Sequence, residues 1–261
     1  MNNTYALITG ASKGIGKAIA EELASKQINL LLVARSESLL AGLTEQLAKQ
    51  YGIQAKYLAS DLTAIGAAQQ IWDWVQKEGL QVHILVNNAG YGLSGRFTDY
   101  TAQEHADMIQ VNDRVPVELC SLFLPMLSKQ SKGYILNIAS SAAYQAVPGL
   151  GTYSASKAFI LYFSRALHYE LRNTNVSVTA VSPGGTATDF ANRANVGKKA
   201  VRAGEKLNMT PEAVARLAVN AMYARKTEII TGFVNKLGAF FVWLLPKKLA
   251  EKTAASLYEM E

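Results

Sequence analysis

Tyr153 and Lys157 stand four residues apart in Tyr153-Ser154-Ala155-Ser156-Lys157, so on a helix both side chains leave from one face. An ammonium close to a phenol favours the phenolate, and a tyrosine tuned in this way can pass a proton to a carbonyl oxygen. The spacing alone is common, and the alternative is an exposed aromatic beside an exposed lysine. Here it has company. Ser140 closes an apolar run thirteen residues earlier, where a hydroxyl could hold a substrate oxygen, and Asn112 falls in the helical segment before that run.

A second set of residues implies a bound nucleotide. Thr9-Gly10-Ala11-Ser12-Lys13-Gly14-Ile15-Gly16 joins the first apolar run to a helical stretch, the context that a dinucleotide-binding glycine loop requires. Of the glycines Gly10, Gly14 and Gly16, one permits the tight turn, one admits the backbone to a pyrophosphate and one allows close helix packing; the helix N-terminus adds free N–H groups. Sheets that bind NAD usually end the second strand on an acid; here it ends Leu32-Val33-Ala34-Arg35-Ser36. Arg35 can pair with a 2′-phosphate, with Lys13 as a second positive charge, so the expected cofactor is NADP(H). The alternative is that Arg35 is only a surface arginine. Asp61 and Leu62 follow the third run and are candidates for the adenine. Asn87-Asn88-Ala89-Gly90 follows the fourth, where small and amide-bearing residues let the chain pass close to the cofactor. With that cofactor the tyrosine has a task. Lowering its pKa from about 10 to neutrality takes ~4 kcal/mol, within reach of a close ammonium plus the positive ring of an oxidised nicotinamide.

The elements that must position these residues alternate. β-branched apolar runs recur at 5–9, 29–33, 55–59, 82–86, 134–139, 176–181 and 228–231. Between them Ile15/Ile19/Leu23, Leu40/Leu43/Leu47 and Ala64/Ala67/Ile71/Val75 each line one helix face, and Thr210-Pro211-Glu212 marks a helix start. The pattern predicts an α/β fold, a doubly wound parallel sheet of seven strands with helices on both faces. Ligands of such sheets bind beyond the carboxyl ends of the strands.

Together these motifs resemble the short-chain dehydrogenase/reductase family, and the likeness runs over essentially the whole chain. It rests on the glycine loop from Thr9 to Gly16, Asn87 to Gly90, Asn112, Ser140, Tyr153 with Lys157, and Pro183-Gly184 with Thr188. The resemblance implies a Rossmann fold with Tyr153 as acid/base and Ser140 polarising the carbonyl. It implies that Lys157 binds the nicotinamide ribose and tunes Tyr153, and that Asn112 holds a water linking Lys157 to solvent. The Pro183, Gly184, Thr186 and Thr188 loop would hold the nicotinamide carboxamide. Asp113-Arg114 departs from the less charged residues usual after the asparagine, and bears on the fine geometry of the proton relay. A homodimer or homotetramer is also implied.

The rest of the chain sets bounds. One domain over residues 1–261 is expected, since no linker-like stretch or internal repeat interrupts it. The one cysteine, Cys120, lies in an apolar stretch, reads as a buried hydrophobe and permits no disulfide within the chain. Residues Met1 to Ile8 lack a signal-peptide pattern, so a cytoplasmic location is expected. The net charge of +6 comes without clustered Lys/Arg and interleaved aromatics, which argues against nucleic acid. His83, His105 and His168 have no metal-ligand spacing, and no metal is expected. Substrate choice falls to a lid at about 186–206, made basic by Arg193, Lys198, Lys199 and Arg202. That suits an anionic substrate such as an acyl thioester of coenzyme A, or is only a solvated basic surface. The apolar tail, 232–261, resembles a subgroup near the fatty-acyl and steroid reductases. It is too short an apolar run to span a bilayer, and would close the pocket, pack on another subunit or, less favoured, lie on a membrane surface. The rival to an enzyme is a non-catalytic NADP-binding sensor on the same fold.

Overall fold

Side chains in the first strand alternate between two apolar environments: Ala6 and Ile8 belong to one core, Tyr5 and Leu7 to another. A strand whose two faces are both buried must be covered on both sides. The computed structural model, which describes residues 4–205 and 208–258, shows that arrangement. In chain order the elements are β1 (Thr4–Thr9), α1 (Gly14–Ser25), β2 (Asn29–Ala34), α2 (Glu37–Tyr51), β3 (Ala55–Ala59), α3 (Ala67–Lys77) and β4 (Gln81–Asn87). There follow α4 (Ala102–Ile109), a π-helical turn (Gln110–Arg114), α5 (Val115–Leu127), β5 (Gly133–Ile138), α6 (Gly151–Glu170) and β6 (Val176–Ser182). The chain continues through α7 (Phe190–Arg193), α8 (Lys198–Glu205), α9 (Pro211–Tyr223), β7 (Glu228–Ile230), α10 (Phe233–Leu244) and α11 (Lys247–Leu257).

The seven strands form one parallel sheet in the order β3-β2-β1-β4-β5-β6-β7. This is the doubly wound Rossmann arrangement that the alternating runs predict. One core packs α1, α2 and α9 on the sheet, the other α3 and α5. The order reverses direction between β1 and β4, which opens a crevice at their carboxyl ends.

Local signals explain most boundaries. The Thr210 hydroxyl caps α9 by accepting from Ala213 N, with Pro211 in the first turn, as the sequence anticipates. Helix α3 does not reach back to Ala64. Gly66 takes a left-handed conformation (φ +84°) and starts the helix at Ala67, so Ala64 belongs to the preceding turn. The last strand ends at Ile230, with Thr231 N still bonded to Ser182 O at 3.2 Å. Met1 to Asn3, Lys206 at the end of the lid and residues 259–261 of the tail lie outside the described residues.

The tail is two helices. Among its described residues Ala250 and Ala254 of α11 are buried, whereas α10 buries none and leaves Phe233, Phe240 and Trp243 at 79%, 53% and 73% exposure. Among the described residues no helix is long and apolar enough to cross a membrane.

Candidate active site

The glycine loop is shaped by what presses on it. Gly10 and Gly14 have positive φ (+67° and +56°), and a Cβ on Gly10 would lie 2.8 Å from the Cα of Ala89. A Cβ on Gly16 would run into the Gly10 carbonyl and the Asn88 side chain. The chain after β4 therefore lies directly on the loop and is fastened there. Asn88 Nδ2 donates to Thr9 O (3.0 Å) and Gly10 O (3.2 Å), while Thr9 Oγ1 accepts from the Asn88 and Ala89 N–H groups. Helix α1 starts at Gly14 with no side-chain cap, so its first-turn N–H groups are available to an anion. Ser12 and Ile15 lie half-buried between the glycines. A glycine cradle ending in an uncapped helix fits a pyrophosphate.

In the loop after β6, Pro183 O accepts from Ser141 N at 2.8 Å, Thr186 Oγ1 donates to Gly184 O at 3.1 Å, and Thr188 N donates to Thr186 O at 2.7 Å. Thr188 reaches over the glycine loop: a Cβ on Gly14 would meet its Cγ2 at 3.1 Å. Asn235 of α10 lies against Gly184 and is itself fixed by donating to Thr231 O at 2.8 Å. On the other side of the glycine loop Arg35 is exposed just past β2, and past β3 Leu62 is buried while Asp61 Oδ1 holds Thr63 through its N–H and hydroxyl. Lys13 faces Asp189 at 3.7 Å, both well exposed. A further cation that acts on Arg35 is Arg193 of α7, which rests 4.6 Å over the Tyr91 ring. Burial and Arg35 hold its pKa below the ordinary value.

The residues expected to handle a proton sit in a buried corner at the carboxyl edge of β5. Tyr153, in the first turn of α6, is 8% exposed, and Lys157, one turn on, is 5% exposed. Lys157 Nζ donates to Ile138 O at 2.9 Å and lies 5.9 Å from the centroid of the Tyr153 ring. Ser140, two residues past the strand, accepts from Ala142 N through its hydroxyl and acts on the Tyr153 phenol. Burial pushes the Tyr153 phenol up to about 12, with Ser140 partly offsetting it. Burial pushes the Lys157 ammonium down to about 8, with Asp113 opposing the fall. The anticipated group of Ser140, Tyr153 and Lys157 thus meets in space.

Asn112 joins it through the π-helical turn. Its Oδ1 accepts from Tyr91 N (3.1 Å), and its Nδ2 donates to Tyr91 O (2.9 Å) and Ser156 Oγ (3.0 Å). Four residues on, Pro116 has no N–H to give the Asn112 carbonyl. Gly90 fits between: a Cβ there would lie 3.0 Å from Asn112 Oδ1 and 3.2 Å from Lys157 Nζ.

Three aromatic residues of the corner carry no sequence motif of their own. Phe190 of α7 packs on Tyr153 (ring centroids 5.2 Å apart), Tyr258 shares their apolar cluster, and Tyr91 carries both Asn112 and Arg193. Only Tyr91 has a signal, its place directly after Gly90. Among the described residues no cluster of His, Cys, Asp or Glu could hold a metal ion. His83 and His168 lie on β4 and α6, and His105 on α4 bonds Phe97 O and Thr152.

The family model described as short chain dehydrogenase matches residues 4–199. The very-long-chain 3-oxoacyl-CoA reductase of Anas platyrhynchos is 37% identical over 193 residues, which are 72% of this chain but 61% of that protein's length. A short-chain dehydrogenase from Sphingobium yanoikuyae, solved in complex with NADPH, is 31% identical over 88% of both chains with a TM-score of 0.80. Another from Burkholderia phymatum, in complex with NAD, is 26% identical over 91% of this chain and 92% of that one, also at 0.80.

Proposed function

The chain belongs to the short-chain dehydrogenase family of oxidoreductases, and from that footing we propose that it is an NADPH-dependent enzyme interconverting a carbonyl and a secondary alcohol, with Tyr153 as its acid/base. The observation that carries this reading is the meeting of Ser140, Tyr153 and Lys157 in one buried corner beside the glycine cradle. A nicotinamide cofactor suits the family; the choice of NADP(H) rests on Arg35 where NAD-binding sheets carry an acid. The cofactor would be held by Gly10 to Gly16, Arg35, Asp61 and Leu62, Asn88 to Gly90, Tyr153 with Lys157, and the Pro183 to Thr188 loop. Bound NADPH supplies the hydride.

The protein groups supply the proton. A phenol held protonated by burial is a donor at neutral pH, so Tyr153 hands its proton to the substrate oxygen while the Ser140 hydroxyl polarises the same oxygen. The buried Lys157 ammonium stabilises the phenolate left behind and returns a proton to it. Asn112 spends its side chain on Tyr91 and Ser156, which leaves its carbonyl, lacking an α-helical donor at Pro116, as the group that would hold the relay water. Phe190 and the lid over Tyr153 keep bulk water from the corner.

The same reading takes the chain as one catalytic domain, acting in the cytoplasm as a homodimer or homotetramer. Its substrate class is a bulky carbonyl compound, with acyl thioesters of coenzyme A supported by the basic lid and by the name of the relative. Lys199 is already tied to Ser256 O at 2.6 Å, so part of that charge serves the tail. The test is NADPH and NADH oxidation against 3-oxoacyl thioesters, ketosteroids, diketones and aldehydes, alongside Tyr153→Phe. The expected outcome is turnover with NADPH that disappears in Tyr153→Phe while cofactor binding persists. Tight binding without turnover across the panel would move the assignment to an NADP-binding sensor.

A further inference from the structure

The sequence leaves three fates open for the apolar tail, and the structure divides them between its two helices. Helix α11 turns inward: Ala250 and Ala254 are buried, Tyr258 just past it packs in the cluster around Tyr153, and Ser256 O accepts from Lys199 of the lid at 2.6 Å. Helix α10 does not follow it. Only Asn235, Ala239 and Val242 are half-buried, and these three share one side of the helix.

The opposite side is the surface to be explained. Phe233, Leu237, Phe240, Phe241, Trp243 and Leu244 are all exposed and fall within about half of the helix circumference, centred away from the body of the protein. No aspartate or glutamate lies on α10, and its one charge is Lys236. A contiguous apolar face of this kind marks an interaction site.

The charges bordering the face have one sign. Lys236 is exposed on α10, and Lys247 and Lys248 are exposed directly past its end, where Lys247 Nζ donates to Val242 O at 3.4 Å. Between Phe233 and Lys252 the chain carries four lysines and one acid, Glu251. Aromatic side chains with lysines beside them suit the headgroup region of an anionic bilayer. They do not suit a second copy, because a two-fold contact sets a patch on its own image and would bring these lysines together with lysines. Nor can the helix cross: it has 12 residues, and no helix among the described residues is long and apolar enough to span a membrane.

We propose that α10 is an in-plane docking helix, which sinks its outer aromatic face into a bilayer carrying anionic headgroups while Lys236, Lys247 and Lys248 pair with those headgroups. Its inward residue Asn235 stands against Gly184, so the docked helix holds the loop after β6 close to the lipid. The inference concerns where the protein sits and is independent of the reaction.

The test mixes the full chain with phosphatidylcholine vesicles, with and without phosphatidylserine, and reads co-sedimentation and Trp243 emission. The expected result is binding to the phosphatidylserine vesicles with a blue shift of the emission, weakened by salt. Phe240→Ser with Trp243→Ser should weaken binding by at least about tenfold. Lys247→Glu with Lys248→Glu should remove the preference for phosphatidylserine; neither pair belongs to the candidate active site. No binding to either vesicle overturns the proposal, as does binding that survives the serine variant or is equal with and without phosphatidylserine. Analytical ultracentrifugation decides for the second copy. Self-association that the serine variant abolishes, in a protein that ignores vesicles, assigns the face to a subunit contact and overturns the lipid reading.

Discussion

Arg35 and Lys157 make opposite demands on solvent, and each yields a measurement. Arg35 is exposed past β2, free to take a 2′-phosphate in charge-assisted hydrogen bonds worth about 1.5–3 kcal/mol. Arg35→Ala is therefore expected to lower kcat/KM with NADPH by about ten- to a hundredfold and leave NADH nearly unchanged; steady-state kinetics with both cofactors checks it. Lys157 is buried, with a folded pKa of about 8 against an ordinary 10.5. Between those values the unfolded chain keeps the proton that the folded one has released, so stability rises with pH across that window and is lost as pH falls back through 8. Urea midpoints on either side of the window should show the rise, and Lys157→Met should flatten it. At this scale the sequence was a good guide where spacing along one helix decides the outcome, as for Tyr153 and Lys157. It was blind where a partner comes from another element. Asp113 read as a departure from pattern, and its burial exists only once the π-helical turn lies against α6. Lys13 shows the reverse: its charge was legible, but its neighbour Asp189 of the lid was not.

Elements were read almost to the residue where a strand is buried on both faces, because hydrophobicity and β-branching then agree over its whole length. They were misread where one backbone angle overrules the periodicity, as Gly66 does before α3. The π-helical turn escaped because the sequence placed Asn112 only in a helical segment, although Pro116 marks where an ordinary ladder would lose a bond. The junction of β1, α1 and the chain after β4 is the least forgiving part of the fold. Gly16→Ala drives a methyl into the Gly10 carbonyl and Asn88, contacts that cannot yield without moving the loop. The expected cost is about 1–3 kcal/mol of stability together with loss of NADPH binding, read by thermal unfolding and by fluorescence titration. Gly42→Ala, on the open side of α2 with no atom in the way, should cost nothing and gives the control.

Across the whole molecule the polar and apolar surfaces are unevenly divided. The sheet cores are closed, whereas α10 turns Phe233, Phe240, Phe241, Trp243 and Leu244 outward while setting Asn235 against Gly184. An apolar run in a sequence says that burial is favourable, not whether the chain can provide it, so this exposure was not legible beforehand. Side chains that bury little contribute little to folding. A Phe240→Ser, Trp243→Ser double variant is expected to unfold within about 0.5 kcal/mol of the parent, as urea unfolding would show. The chain has three tryptophans, and they differ in surroundings: Trp72 meets Phe123 edge-on at 5.0 Å, Trp74 is half-buried, and Trp243 stands 73% exposed on α10. The molecule thus contains a built-in optical probe. Iodide should quench the Trp243 indole first, and anything that settles on α10 should shift its emission to the blue while leaving the light from the other two unchanged.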